Sequence, residues 1–166
     1  AFDLYGLRSK VSVVEGEIKD FPLLKGILTD YEVDTVFPLA AQALARTGNI
    51  SPLSTFKTNV RGTYILLEAC RLSANLRSIV IASSENSYGS NQLPPFSEDF
   101  PLQGRSPYET SKSCGDLIAQ SFAITYDLPV TIVRSANTYG GGDLNLSRIV
   151  PGTILSVLKD ERPIIR

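Results

Sequence analysis

Short apolar runs alternate along this chain with longer segments in which apolar residues recur at helical spacing. The runs are rich in β-branched residues, which is typical of strands. Residues 78–83 lack polar alternation, as expected for a strand that is covered on both faces. The strands predicted in this way are residues 10–15, 35–39, 78–83 and 130–134.

Helices are predicted between these strands. The first covers residues 20–30, and a long helix starts at Ser51-Pro52. A third begins at Ser106-Pro107, because serine is a good N-cap and proline suits the first helical position, and it runs to about Tyr126. The last covers residues 146–159, and residues 163–165 are a candidate further strand. The apolar face of the long helix comprises Leu53, Phe56, Val60, Tyr64 and Leu67.

Regular alternation of strand and helix predicts a parallel, doubly wound α/β sheet in one domain. In such sheets, ligands bind at the carboxyl ends of the strands. Small or polar residues stand at three of these ends, which makes them candidate site residues. They are Ala40 and Ala41, Ser83 to Glu85, and Ser135 to Asn137.

Composition narrows the function classes. The chain has 166 residues and a net charge of −1, with no basic stripe to suggest nucleic acid binding. No apolar run reaches the roughly 18 residues that span a bilayer, and no signal peptide is visible. There is no histidine, which excludes histidine-ligated zinc and a Ser-His-Asp triad, and no metal site is predicted. We interpret Cys70 and Cys114 as reduced thiols of a cytoplasmic protein.

Tyr108 and Lys112 are the strongest candidates for chemistry. Four residues apart, they share one face of the predicted helix. A free phenol is a poor base at neutral pH, but a nearby ammonium stabilises the phenolate and lowers the pKa of the tyrosine. Such a tyrosine can take a proton from a sugar hydroxyl while hydride leaves the same carbon. The alternative is a solvated surface pair, since this spacing arises by chance in many helices.

Motifs spread over nearly the whole chain resemble one family, the extended short-chain dehydrogenases that act as NAD-dependent sugar-nucleotide epimerases and dehydratases. Four stretches of this chain, and one further run, resemble the branch of that family that dehydrates CDP-glucose. The family motifs are residues 16–20, 39–41, 58–63, 66–70, 83–89, 108–112 and 137–140. The stretches typical of the branch are residues 51–56, 101–105, 111–114 and 140–145, and the added run is 148–153.

The resemblance implies a catalytic role for each matching residue. Ser84 would hydrogen-bond the sugar hydroxyl that is oxidised, and Tyr108 would be the base. Lys112 would lower the tyrosine pKa and bind the nicotinamide ribose. Glu85 would be the acid for loss of water.

The resemblance also implies binding roles. Asn137 and Arg148 would contact the substrate diphosphate, since arginine suits a phosphate fork. The cofactor would be NAD, with NADP left open, and the partners a nucleotide-activated hexose and a second copy in a homodimer. The residues implied for the cofactor are Glu17, Ile18, Leu39, Ala40, Ala41, Ala82, Tyr108 and Lys112.

Three of the weaker assignments keep a structural alternative. Asn59 is as consistent with a buried side chain that pairs with backbone as with a site role. Glu17 is consistent with a surface carboxylate, and Gly140 to Gly142 with a simple turn.

The chain departs from the family at the acidic pair. Where dehydratases carry an acidic residue followed by Glu or Lys, this chain has Glu85 and Asn86. An asparagine cannot titrate and so cannot carry a proton. We therefore expect C4 oxidation to be supported and elimination of water to be in doubt, which raises an epimerase as the alternative. A non-catalytic Rossmann-like protein is the second alternative.

A further departure concerns the sheet. The chain lacks the glycine-rich turn that seats a cofactor pyrophosphate. We expect it to be a partial NAD(P)-binding Rossmann domain over residues 1–166, without the family's first two strands, roughly 50–60 residues, and without its C-terminal substrate lobe. The strands at 35, 78 and 130 should then pair with one another. The strand at 10–15 should be detached or paired differently, and Pro38 should lie on an edge strand.

Overall fold

A computed structural model describes residues 5–89 and 94–164 of the chain. The chain divides into two compact units, which are described separately. The larger is Gly16–Ala136, and the smaller consists of the described parts of Ala1–Glu15 and Asn137–Arg166.

A parallel three-stranded sheet organises the larger unit. Its strands are β1 (Thr35–Val36), β2 (Ser78–Ala82) and β3 (Val130–Val133), in the order β1-β2-β3. Thr35 is in register with Ser78, and Ile79 is in register with Val130. The pairing confirms the prediction for these three strands, and the α/β, Rossmann-like class is confirmed with it.

Two of the predicted helices have the boundaries that their capping residues indicate. Helix α1 (Phe21–Asp30) begins where the Asp20 side chain accepts a hydrogen bond from the Leu23 main-chain N at 3.1 Å. Helix α5 (Pro107–Tyr126) begins with a capping box in which Ser106 and Glu109 each bind the other's main-chain N–H. It ends at Asp127, which adopts a left-handed conformation with φ of 52°. Local capping therefore fixes both boundaries.

The long helix predicted from Ser51 is present, but it contains an irregular turn. Helix α3 (Pro52–Phe56) passes into a π-helical turn (Lys57–Arg61) and continues as α4 (Gly62–Arg71). A shorter helix, α2 (Ala45–Ile50), precedes it and was not predicted. π-Helical turns occur often at functional sites, so the position of this turn bears on the site described below.

The prediction of a strand at residues 10–15 is wrong. Lys10 ends a 3-10 helix (Leu7–Lys10), and no strand follows it. Val11, Val13 and Val14 are 49%, 55% and 42% exposed. Apolar β-branched residues do not make a strand unless a neighbouring strand supplies hydrogen bonds, and in the described residues none pairs with this segment.

Three other predictions differ from the structure by more than one residue. Strand β1 is shorter than residues 35–39 because Pro38 has no N–H to donate to a ladder. Helix α6 (Ile149–Leu158) starts three residues late, after an asparagine turn in which Asn145 Oδ1 accepts hydrogen bonds from Ser147 N and Oγ. Residues 163 and 164 form no strand, and residue 165 lies outside the described residues.

The core lies between the sheet and helices α1, α4 and α5. Leu67 and Ile79 are fully buried, and Gly115 of α5 faces Thr63, which lies on α4. Cys70 is a buried free thiol whose pKa burial raises to about 12, and Cys114 is a half-buried free thiol. Among the described helices, none is long and apolar enough to cross a membrane.

Candidate functional site

The opening of helix α5 carries Tyr108 and Lys112. Both are half-buried, and Lys112 Nζ donates a hydrogen bond to the main-chain O of Ala82 at 2.7 Å. Burial lowers the pKa of Lys112, because the charged ammonium loses solvation. Gly48 of α2 packs against the tyrosine so closely that an added Cβ would lie 3.2 Å from Tyr108 Cβ. The lysine thus links α5 to the carboxyl end of β2, and α2 supports the tyrosine.

The carboxyl end of β2 carries Ser84 and Glu85. Ser84 is only 7% exposed and begins a 3-10 helix (Glu85–Tyr88). Its Oγ accepts hydrogen bonds from Asn86 N at 3.2 Å and from Asn86 Nδ2 at 3.0 Å. The main-chain N–H of Glu85 donates to Ser135 O at 3.1 Å, which joins the ends of β2 and β3. The expected convergence at these two strand ends is present.

A small cavity opens beside Lys112 and leaves room for about 40 Å³ of water-sized molecules. Aliphatic side chains, three of them alanines, form much of its wall. Of the residues predicted to bind a cofactor, the cavity brings together Ile18, Ala40, Ala41, Ala82 and Lys112.

Three of the predicted cofactor residues, Glu17, Leu39 and Tyr108, do not line this cavity. Leu39 is 75% exposed. The Glu17 side chain is 72% exposed and forms an ion pair with Lys19 at 2.9 Å. Glu17 therefore matches its structural alternative, a surface carboxylate.

Asn137 and Arg148, predicted to bind substrate, both lie in the smaller unit. Asn137 is exposed, and Arg148 precedes α6, where its Nη1 lies 3.3 Å from Asp143 Oδ2. The Arg148 side chain is 47% exposed, which leaves it accessible to an anionic ligand. Gly140 and Gly141 lie in the same loop, and an added Cβ at Gly140 would meet no other atom.

Asn59, in the π-helical turn, connects the two sides of the cavity. Its Oδ1 accepts from Gln42 N at 2.8 Å, and its Nδ2 donates to Gln42 O at 3.0 Å and to Ser111 Oγ at 2.9 Å. The side chain thereby pairs with the backbone, as one of the two interpretations of this residue predicts. It also lines the cavity.

An ion pair that the sequence analysis missed lies behind the site. Asp116, only 1% exposed, accepts hydrogen bonds from Arg134 Nε at 2.8 Å, Gln120 Nε2 at 2.7 Å and Ser83 Oγ at 2.9 Å. Arg134 Nη1 also donates to the Tyr88 hydroxyl at 3.0 Å. An available signal was the arginine at the end of the apolar run 130–134, since a charge that is buried there requires a partner.

Comparison with known proteins identifies relatives of two kinds. The family model described as GDP-mannose 4,6 dehydratase matches residues 3–165. CDP-glucose 4,6-dehydratase of Salmonella typhimurium is 30% identical over 99% of this chain and 49% of its own length. UDP-glucuronate 4-epimerase 3 of Arabidopsis thaliana is 40% identical over 80% of this chain and 31% of its own.

A solved structure matches nearly the whole chain. The dTDP-glucose 4,6-dehydratase of Bacillus anthracis, in complex with NAD, superposes with a TM-score of 0.83 and 27% identity over 98% of this chain and 50% of that protein. The chain spans about half the length of the dehydratase relatives it matches or less.

Proposed function

This chain belongs to the GDP-mannose 4,6 dehydratase family of NAD-dependent sugar-nucleotide dehydratases and epimerases, and we propose that it carries the catalytic residues of a 4,6-dehydratase acting on a CDP-glucose-like substrate. The observation that carries the proposal is the bond from Lys112 Nζ to Ala82 O. It fixes the lysine at the carboxyl end of β2, next to the turn that holds Ser84.

In this proposal Tyr108 takes the proton of the C4 hydroxyl. The Lys112 ammonium, held in the same face of α5, favours the phenolate and so lowers the pKa of the tyrosine. Ser84 binds the C4 oxygen from the end of β2. The C4 ketone then acidifies the proton at C5, so that a hydroxide can leave from C6.

Loss of that hydroxide needs an acid, and Glu85 supplies the only carboxyl group in residues 83–89. It is half-buried in the 3-10 turn beside Ser84. In the proposed role its proton goes to the C6 oxygen and the carboxylate that remains takes the C5 proton, so that water leaves as the C5–C6 double bond forms and Glu85 is protonated again.

The residues around the small cavity fit the end of an NAD molecule. The Lys112 ammonium has three N–H donors, and the one hydrogen bond it makes to a described residue goes to Ala82 O, so donors remain for ribose hydroxyls. Ala40, Ala41 and Ile18 supply an apolar wall for a ring. When bound, NAD accepts the hydride from C4 and returns it to the sugar, so the reaction is redox neutral overall. The choice between NAD and NADP stays open.

One observation favours an epimerase as the second candidate. Asn86 cannot titrate, and its amide donates to Ser84 Oγ at 3.0 Å. The turn therefore has one proton-transferring side chain where elimination calls for an acid and a base. An epimerase needs only oxidation at C4, rotation of the keto sugar in the site, and return of the hydride to the opposite face of C4.

The first experiment incubates this polypeptide with NAD and CDP-glucose, and in parallel with NAD and UDP-glucose, and follows the sugar by mass spectrometry and NMR. Loss of one water supports the dehydratase. Unchanged mass with an inverted C4 centre supports the epimerase. An unaltered sugar in both mixtures shows that this chain does not suffice for either reaction, and an unaltered sugar with a chain extended to the length of its relatives would contradict the proposal.

Glu85→Gln separates the two reactions. The substitution removes the acid with little change in shape, so water loss should stop while C4 epimerisation is largely retained. A Glu85→Gln protein that still releases water would assign the acid to another group.

The homodimer and the cytoplasmic location stay predictions. Leu117, an apolar α5 residue that is 56% exposed, is available for a partner copy.

A further inference from the structure

The hydrogen bonds around Ser84 give its hydroxyl a fixed direction. A serine oxygen has two acceptor lone pairs and one hydrogen. Asn86 N and Asn86 Nδ2 both donate to Ser84 Oγ, at 3.2 Å and 3.0 Å, and so occupy both lone pairs. The O–H that is left makes no hydrogen bond to another described residue. Ser84 can therefore act on a ligand only as a donor.

The neighbouring serine is held in a different way. Ser83 Oγ donates to the buried Asp116 Oδ2 at 2.9 Å and lies 3.1 Å from Ser87 Oγ. Its hydrogen is committed to the ion pair between α5 and β3. Of the two adjacent hydroxyls at the end of β2, Ser84 alone has an uncommitted hydrogen.

We propose that Asn86 is a positioning residue that holds the Ser84 hydroxyl as a hydrogen-bond donor to the oxygen at sugar C4. The inference rests on the proposed function for the identity of that acceptor. A donor there stabilises the negative charge that develops on the oxygen as Tyr108 removes its proton. Asparagine suits the task because it stays neutral at every pH, whereas an aspartate, whose carboxylate oxygen would replace the Nδ2 group, would accept the serine hydrogen for itself.

Asn86→Asp tests the proposal with almost no change in shape. The carboxylate replaces the Nδ2 donor and captures the Ser84 hydrogen, so kcat should fall roughly 100-fold, the cost of losing one such donor, with KM little changed. Asn75→Asp, at an exposed turn, makes the same change of charge and should leave turnover unaltered. An Asn86→Asp protein with normal kcat would overturn the inference.

A double-variant cycle distinguishes positioning from a structural role. If Asn86 acts through Ser84, Asn86→Asp should add no further loss of kcat to Ser84→Ala. If the two losses multiply instead, Asn86 acts independently of the serine and the proposal fails.

A measurement without turnover tests the same bond. In wild-type protein, hydrogen exchange of the Asn86 side-chain amide should be slowed, and Ser84→Ala should speed it about fivefold, as expected for losing one hydrogen bond. Unchanged exchange in Ser84→Ala would overturn the positioning role whatever the enzyme does. If wild-type protein fails to oxidise C4 but this exchange responds, the proposed function is contradicted and the Asn86–Ser84 arrangement stands.

Discussion

Arg134 and Asp116 form a bidentate ion pair that joins the carboxyl end of β3 to the middle of α5. Arg134 Nε lies 2.8 Å from Asp116 Oδ2, and Nη2 lies 3.1 Å from Oδ1. The Asp116 side chain has no exposed surface, while that of Arg134 is 17% exposed. Because Tyr108 and Lys112 lie on the same helix, this pair holds the helix that carries both residues against the sheet.

Replacing Asp116 with Asn should destabilise the protein by about 3 kcal/mol. The change leaves the arginine partly buried without a counter-charge, and breaking a buried pair from one side is costly. Denaturant unfolding measures the loss. Asp30→Asn, at the exposed end of α1, is the control and should change stability by less than about 0.5 kcal/mol. Equal effects of the two substitutions would show that the buried pair contributes no net stability.

The same pair predicts a loss of stability in acid. Burial alone would raise the pKa of Asp116, but hydrogen bonds from Arg134, Gln120 and Ser83 lower it below its ordinary value of 3.8. The unfolded chain therefore takes up the proton first, so the contribution is complete above pH 3.8 and is lost as pH falls through the lower, folded pKa. The difference in unfolding free energy between wild type and Asp116→Asn should shrink below pH 3.8. A constant difference would contradict the lowered pKa.

Lys112 predicts a dependence of the same sign at high pH, with stability again rising as pH rises. Burial lowers its pKa below 10.5, so the folded protein loses this proton before the unfolded chain does. The cost of the buried charge is present below the folded pKa and is relieved as pH rises towards 10.5. The free energy of unfolding of the wild type should therefore rise relative to that of Lys112→Met over this pH range. Lys25→Met, at an exposed site on α1, is the control, and a flat wild-type difference would refute the shift.

Gly48 should be sensitive to a single methyl group. An alanine Cβ there would lie 3.2 Å from Tyr108 Cβ and 3.4 Å from its main-chain N, so the tyrosine must move by a few tenths of an ångström. Gly48→Ala should therefore lower kcat even though alanine favours a helix. Gly26→Ala has only Asp30 within 4.0 Å and should stabilise α1 by about 0.5–1 kcal/mol. Unchanged turnover in Gly48→Ala would show that the tyrosine tolerates the shift.

Tyr108→Phe tests whether the phenol works at all. Loss of a general base typically costs a factor of about 10²–10⁴, so kcat should fall within that range while the fold is retained. Tyr31→Phe, 55% exposed at the end of α1, should have no effect. If Tyr108→Phe keeps its turnover, the site is not used in the proposed way, and a non-catalytic Rossmann-like role becomes the better interpretation.

The sequence alone determined the features that depend on local signals. The capping box at Ser106, the proline after it and the left-handed Asp127 lie within or beside α5, so the helix with Tyr108 and Lys112 on one face was predictable. The uninterrupted apolar run of β2 indicated a strand covered on both faces. Pro38 indicated an edge, because a missing N–H acts wherever the residue is placed.

Tertiary structure decided what depends on partners distant in sequence. Residues 10–15 have the composition of a strand but pair with no described strand, and a ladder needs two sides. Asp116 and Arg134 are 18 residues apart and Lys112 and Ala82 are 30 apart, and nothing local to either member specifies the other. Motif matching assigned Ser84 its place, but even for a neighbour two residues away, only the structure revealed that Asn86 fills both of its lone pairs. Which atom donates and which accepts depends on atomic positions to within a few tenths of an ångström, and the order of the residues does not specify those positions.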